Sequence, residues 1–279
     1  MAYTDIDDPS AHFQVKKWTG NAGTNAITLD GNSNMQPDFM WHKEQNDTNG
    51  WHQFDSNRGV TKYLATNNAN AEATFSGYLS SFDSNGFTAG SGDSSMNSSS
   101  TAQCSWMWHC NSGTTSSNSD GSVTSTVQAN TTAGFSIVTY SSDNSSAETI
   151  GHGLGAVPKV LIVKRLNSNN RDWAVYHESI GNTKYLQLNE SDAEIDNAAY
   201  WNDTTPTSSV FTIGTGNNSR VNSSSQIAYC FAEKQGYSKF GKYTGKVSAD
   251  NGPFIHTGFK PAFVMIKLAS ATQSWDIHD

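Results

Sequence analysis

Pro158-Lys159-Val160-Leu161-Ile162-Val163-Lys164 exists in this chain in three versions. Pro37-Asp38-Phe39-Met40-Trp41-His42-Lys43 precedes it by 121 residues, and Pro261-Ala262-Phe263-Val264-Met265-Ile266-Lys267 follows it by 103. Each version is a proline, a short apolar run and a lysine six positions after the proline. Such a run suits a strand buried on both faces, or a central strand with one face against another sheet. The proline fits the first residue of the strand, where no ladder hydrogen bond is donated. The lysine is expected to return the chain to solvent.

Moving outward from this strand, other landmarks recur in the same order. Phe135–Tyr140 matches Phe13–Trp18 as an opening strand. Trp51, Trp173 and Trp275 lie 14, 15 and 14 residues beyond their prolines. Lys62-Tyr63-Leu64 and Lys184-Tyr185-Leu186 each lie 11 residues after their tryptophan. Phe211–Gly214 matches Phe87–Gly90, Asn222–Ser225 matches Asn97–Ser100, and Tyr229-Cys230-Phe231 matches Trp106-Met107-Trp108. Ser81–Phe87 reads as two strands joined through Asn85-Gly86. No segment sustains a 3.6-residue apolar period over three turns, so no long helix is expected. The spacing predicts an all-β protein of tandem antiparallel β-sandwich repeats, jelly-roll or concanavalin-like. Residues 1–14 form an arm that either frays or docks. Residues 15–112 are repeat one, and 113–134 a Ser/Thr-rich linker carrying one marginal strand. Residues 135–240 are repeat two, and 241–279 a partial third repeat. A sandwich missing more than half its strands leaves an open edge and an apolar face. The chain is then a fragment of a longer protein, or its last strands pack on repeat two, or other copies cover them.

Composition narrows the function classes. Only 15% of residues are charged, and Asn, Ser, Thr and Gly are abundant, as short strands joined by polar turns require. Eight Trp, 13 Phe and ten Tyr argue against disorder. The net charge of -8, without a Lys/Arg cluster, speaks against a nucleic-acid partner. No charged-then-apolar leader and no apolar run near 18 residues is seen, so neither a secretory signal nor membrane insertion is expected. Three cysteines, Cys104, Cys110 and Cys230, read as free buried thiols rather than a disulfide framework.

MAYTDIDDPSAHFQ, the WTGN turn, DGNSNMQPDF, SSFDSNGFTAG, NTTAGFSIVTY, GHGLGAVPK, GNTKYL, YCFAEKQGYSKFG and GPFIHTGFKPAFVMIK together span nearly the whole chain. In them the sequence resembles a repeat family of marine bacteriophages, whose members are similar to tail-fibre or other virion surface proteins. The resemblance implies a concanavalin- or laminin-G-like sandwich and a virion structural or host-adhesion role. Other virion proteins, further copies of the chain (a trimer among the assemblies considered) and a host cell-surface glycan would be its partners. Its place would be the virion surface. It carries over no catalytic or receptor-binding residues.

The residues themselves offer little chemistry. Glu194-Ile195-Asp196 bears a superficial likeness to the carboxylate strand of a sandwich glycosidase, which needs two acids on one face. Position 199 is Ala199 rather than a third acid, and Ala193-Glu194 matches Ala71-Glu72, where no Asp follows. The eight histidines are scattered, without metal-ligand spacing, and His152 and His256 read as hydrogen-bonded turn residues. No catalytic set, metal site or cofactor is expected. Sugar sites use aromatic platforms, and the recurrent Trp51, Trp173 and Trp275 are best explained by shared packing. The non-repeated Trp201, in Tyr200-Trp201-Asn202-Asp203, is the ligand candidate, with Asp203 beside it.

Overall fold

The computed structural model describes residues 3–92, 94–142, 146–218, 224–246 and 251–279. Asn222 and Ser223 of the repeated Asn-Ser-Ser-Ser landmark lie outside them. The first unit contains β1 (Phe13–Thr19), β2 (Asn25–Thr28), β3 (Phe39–Glu44), β4 (His52–Asp55), β5 (Lys62–Ala65), β6 (Ala73–Thr74), β7 (Leu79–Asp83), β8 (Gly86–Ala89) and β9 (Ala102–Trp108). They form two antiparallel sheets, ordered β1-β9-β3-β4-β5-β6 and β2-β8-β7. The following segment adds β10 (Ser116–Asn118), β11 (Ser125–Asn130), β12 (Phe135–Ser142), β13 (Glu148–Gly151), β14 (Pro158–Arg165), β15 (Ala174–His177), β16 (Lys184–Gln187), β17 (Ile195–Asp196), β18 (Val210–Ile213) and β19 (Ser224–Ala232). Their sheets run β10-β11-β12-β19-β14-β15-β16-β17 and β13-β18. Apart from β10 and β11, the large sheet has the first unit's strand order. The chain ends in a hairpin of β20 (Val264–Ile266) and β21 (Asp276–His278). Met40 faces Phe54, Leu161 faces Tyr176 and Val264 faces His278, so all three hairpins keep one register.

The repeated strand is apolar throughout because it separates two cores. Successive side chains on a strand point to opposite faces. Met40 and Met107 point to one side and pack with Ile27 and Phe87 under the small sheet of the first unit. Leu161 and Cys230 do the same with Ile150, Phe211 and Ile213 in the second. The opposite faces meet each other. Phe39, Trp41 and Trp106 share a core with Ile137, Ile162 and Tyr229, and Phe263, Met265 and Ile277 of the third hairpin pack onto it. The first two units are therefore sandwiches fused through a common core, onto which the C-terminal hairpin also packs.

Three expectations change. Lys164 does not return the chain to solvent; its side chain is fully buried, with the ammonium bonded to Arg171 O and 5.7 Å from the Trp173 ring centroid. Lys43 donates to Glu44 O, Asp47 O and Asn49 O, and Lys267 to Leu268 O and Gln273 O. The conserved spacing thus places an ammonium inside the loop that follows each repeated strand, where its donors satisfy turn carbonyls. Residues 113–134 are not a free linker. Ser125–Asn130 pairs with β12, Val127 points into the second core, and buried Gln128 binds Ser56 and Asn57 of the first unit. The β7–β8 hairpin forms, but its two-residue turn is Ser84-Asn85, with Gly86 opposite Asp83. Gly86 has φ 125°, and a Cβ there would lie 2.0 Å from Ile27 O. From residue 6 onward the arm is docked. Ile6 is buried, and Asp8 accepts from Ser10 N at 2.9 Å and Ser33 Oγ at 2.6 Å.

Candidate functional site

The residues expected to hold a glycan do not form a surface. Trp201 is 1% exposed; its Nε1 donates to Lys184 O at 3.0 Å, and its ring packs edge-on to Tyr176. A sugar platform needs an open ring face, so the assignment of Trp201 is corrected to core packing. Its neighbours misled the sequence reading, because Asn202 and Asp203 form a turn with φ of 53° and 48° immediately after it. Asp203 is exposed and its carbonyl accepts from Asn182 Nδ2 at 2.7 Å. Trp201 and Asp203 therefore sit on opposite sides of the protein boundary.

Glu194 forms an ion pair with Lys184, and Asp196 lies opposite Lys184 in the β16–β17 register. The first unit repeats the pairing between Lys62 and Glu72 at 3.3 Å. These acids hold a sheet edge. His152 is buried in its turn, accepting from Leu154 N and donating to Thr207 O, and burial lowers its pKa. Among the described residues no three His, Cys, Asp or Glu side chains converge as metal ligands, and the three cysteines are free and buried.

Two buried polar clusters escaped the sequence reading. Asp38 sits within the repeated stretch, where the other versions have Lys159 and Ala262. Its carboxylate accepts from Cys110 N at 2.7 Å, Ser112 N at 2.9 Å, Gly113 N at 2.8 Å and Ser56 Oγ at 2.8 Å. His109 Nδ1 lies 3.2 Å from it. Burial opposes the charge on Asp38, but bonds from His109, Cys110 and Ser56 outweigh it and hold the pKa below the usual carboxylate value. The same pair raises the pKa of His109. Asp, His and Cys are close here, yet they make no nucleophile. The Cys110 thiol donates to Gln128 O, burial pushes its pKa well up, and His109 is turned to Asp38 and Gln36 O. The cluster anchors the chain as it leaves the first unit. A signal was present, namely an acid in an otherwise apolar run.

The second cluster joins the units. Arg58 bonds Asp55 at 2.6 Å, Glu72 at 3.2 Å and Gln53 at 2.8 Å, and Tyr229 of the second unit lies 2.7 Å from both Asp55 and Gln53. Burial works against the Arg58 charge, and Asp55, Tyr229 and Glu72 more than offset it, raising its pKa.

The junction between units has a pattern that occurs twice. Trp173 Nε1 donates to Ala65 O at 3.0 Å, and Trp275 Nε1 donates to Gln187 O at 2.8 Å. Ala65 and Gln187 each close the strand beginning Lys-Tyr-Leu. Glu72 N bonds Leu166 O, and its counterpart Glu194 N bonds Ala269 O, both at 2.8 Å. Arg171 N bonds Ala69 O at 3.1 Å, and Gln273 N bonds Ser191 O at 2.8 Å. The second and third units thus each dock on the preceding one through the same three bonds. A further contact recurs around the core. Phe39 meets Phe135 at 5.8 Å, and Phe263 meets Phe13 at 5.7 Å, so the third unit approaches the first as the first approaches the second. The three units follow one another in a ring.

The fold and its junctions define a class, an all-β protein assembled from tandem sandwich units around a shared core. Within it, the chain belongs to the family described as a domain of unknown function (DUF7483), whose profile matches residues 8–279. No curated protein and no solved structure matches the chain.

Proposed function

We propose that this protein is a structural component of a bacteriophage particle, part of a tail fibre or similar appendage, acting in assembly and in recognition of a glycan on the host surface. The observation that carries the reading is the twice-made junction. A set of backbone and indole bonds that repeats from unit to unit is the design of a body assembled from modules. The resemblance of the repeated segments to virion surface proteins supplies the setting. The reading assigns no catalytic step, since Glu194 and Asp196 are engaged with Lys184 at a sheet edge.

Antibody against the protein, applied to purified particles and viewed by electron microscopy, is expected to decorate an appendage. Particles free of the protein would overturn the reading. Binding of the purified protein to host cells, lost after periodate treatment of their glycans, tests the recognition half. The burial of Trp201 favours a second reading, a spacer or head-decorating protein without a ligand. Decoration of particles without any binding to host cells is the result expected of it.

A further inference from the structure

Two cations of the second unit have no counterpart in the other units. Arg165 ends β14, and Arg171 lies two residues before Trp173. The same places hold Glu44 and Asn49 in the first unit, and Leu268 and Gln273 in the third. From residue 164 to 172 the second unit therefore sets Lys164, Arg165 and Arg171 against Asp172 alone, whereas residues 43–50 set Lys43 against Glu44 and Asp47. A protein of net charge -8 gathers positive charge in this one loop.

In the first unit the two places satisfy each other. Glu44 is buried, and Asn49 Nδ2 donates to its Oε2 at 2.7 Å. In the second unit the carboxylate and the carboxamide are replaced by two guanidiniums, which can only donate. Arg165 is 9% exposed, and its Nε and Nη1 are buried without a hydrogen-bond partner among the described residues. Arg171 Nε is in the same condition. Burial lowers the pKa of Arg165 and the neighbouring charge of Arg171 lowers it further, with no carboxylate acting the other way. Asp172 is turned elsewhere, accepting from Asn189 Nδ2 at 2.9 Å and Asn218 Nδ2 at 3.1 Å. Buried charged donors without acceptors are costly, and a native structure keeps them where a bound water or ion completes them. Water would satisfy the N–H groups and leave two like charges unopposed; an anion answers both. The loop joining the pair is open to solvent, with Asn167, Asn169 and Asn170 exposed.

We propose that Arg165 and Arg171 form a binding site for an oxyanion, the carboxylate or sulfate group of a ligand, seated in the role that the Glu44 carboxylate plays in the first unit. Both guanidiniums would donate to it, since their planar fork of N–H groups matches the spacing of oxygens in such groups. Under the function proposed above, the group would be the acid of a host-surface glycan. The site itself rests on the two arginines, and particles that lack the protein would leave it standing.

Titration calorimetry of the purified chain with sodium glucuronate, sodium sulfate and glucose, at constant ionic strength, tests the site. At least one of the two anions is expected to bind, and glucose is not. Arg165→Met and Arg171→Met should each weaken the binding by about tenfold or more, the loss of a charged hydrogen bond. Arg165→Glu combined with Arg171→Asn rebuilds the pair found in the first unit. This double variant should unfold at a higher temperature than wild type in chloride buffer and bind neither anion, which separates loss of the site from loss of the fold. Tighter binding of glucuronate marks a sugar acid as the ligand, tighter binding of sulfate a sulfated one, and either result upholds the site. A wild-type chain that binds neither anion, or a double variant that binds as tightly as wild type, would overturn the proposal.

Discussion

Lys164 is the residue at which the repeated stretch departs furthest from its expected chemistry. It ends an apolar strand, is fully buried and is pushed down to about 8 from 10.5, chiefly by burial, with Asp172 acting the other way. A group with a lowered folded pKa binds fewer protons in the folded state between the two values. Stability therefore rises as pH rises from about 8 to about 10.5, by up to about 3 kcal/mol. Lys164→Met removes this dependence, so the stability of wild type relative to the variant should grow between about pH 7 and about pH 10 in urea melts. A difference that stays constant with pH would mean that the buried ammonium carries no penalty. Asp38 titrates with the opposite consequence. Its lowered pKa contributes stability above the unfolded carboxylate value, lost as pH falls through the folded one. His109, with a raised pKa, contributes below the unfolded imidazole value and loses it as pH rises through the folded one. Asp38→Asn turns an amide N–H₂ toward backbone donors of Cys110–Gly113, and should cost about 2–4 kcal/mol near pH 6. Melts repeated at falling pH should show the gap closing below about pH 4.

At the scale of the element, the tryptophan strands test whether the junction bonds matter. Trp173 and Trp51 occupy the same place in their hairpins, and the Trp173 indole has an acceptor across a junction. Trp173→Phe should destabilise the protein by about 1–2 kcal/mol more than Trp51→Phe does, because it also strands the Ala65 carbonyl. Equal costs in denaturant melts would reduce the junction bond to a geometric accident. These elements were partly legible in the sequence. The strand identity of Val160–Val163, the recurrence of the tryptophans and the β7–β8 hairpin could be read because spacing and turn chemistry are local. The role of Lys164 could not, since its partner Arg171 O is reached only when the following loop folds back. Nor could the fate of Trp201, whose polar neighbours form a turn while its own ring points inward. The segment around Ser125–Asn130 reads as a linker with one marginal strand, because its composition is polar apart from Val123 and Val127. It is sheet because alternation places Val127 inside and because Gln128 finds partners on another unit. Non-local pairing of this kind leaves no mark on composition.

For the molecule as a whole, the shared core decides how the units unfold. In the first unit Phe39, Trp41, Leu64, Cys104, Trp106 and Cys110 are buried in the core shared with the second unit and the C-terminal hairpin rather than within their own sandwich. At roughly 1.5–3 kcal/mol for each large apolar side chain, this face is worth on the order of 10 kcal/mol. That is comparable with the whole stability of an ordinary domain, roughly 5–15 kcal/mol. The first unit therefore has no independent margin, despite possessing both sheets of a sandwich and a core of its own. Calorimetry of the full chain should give one transition for the first two units, with a van't Hoff enthalpy matching the calorimetric one. Residues 1–112 alone should bind hydrophobic dye and lack a fixed near-ultraviolet signal from their tryptophans. Two separated transitions, or a well-folded 1–112 fragment, would mean that the units are independent beads and that their junctions add little. The Arg58–Asp55–Tyr229 cluster sharpens the expectation. Separation of the units takes Tyr229 from Asp55 and leaves a buried ion pair at a surface that has lost its cover. Tyr229→Phe should keep the single transition while lowering its midpoint, because it deletes a hydrogen bond and preserves the packing that couples the units.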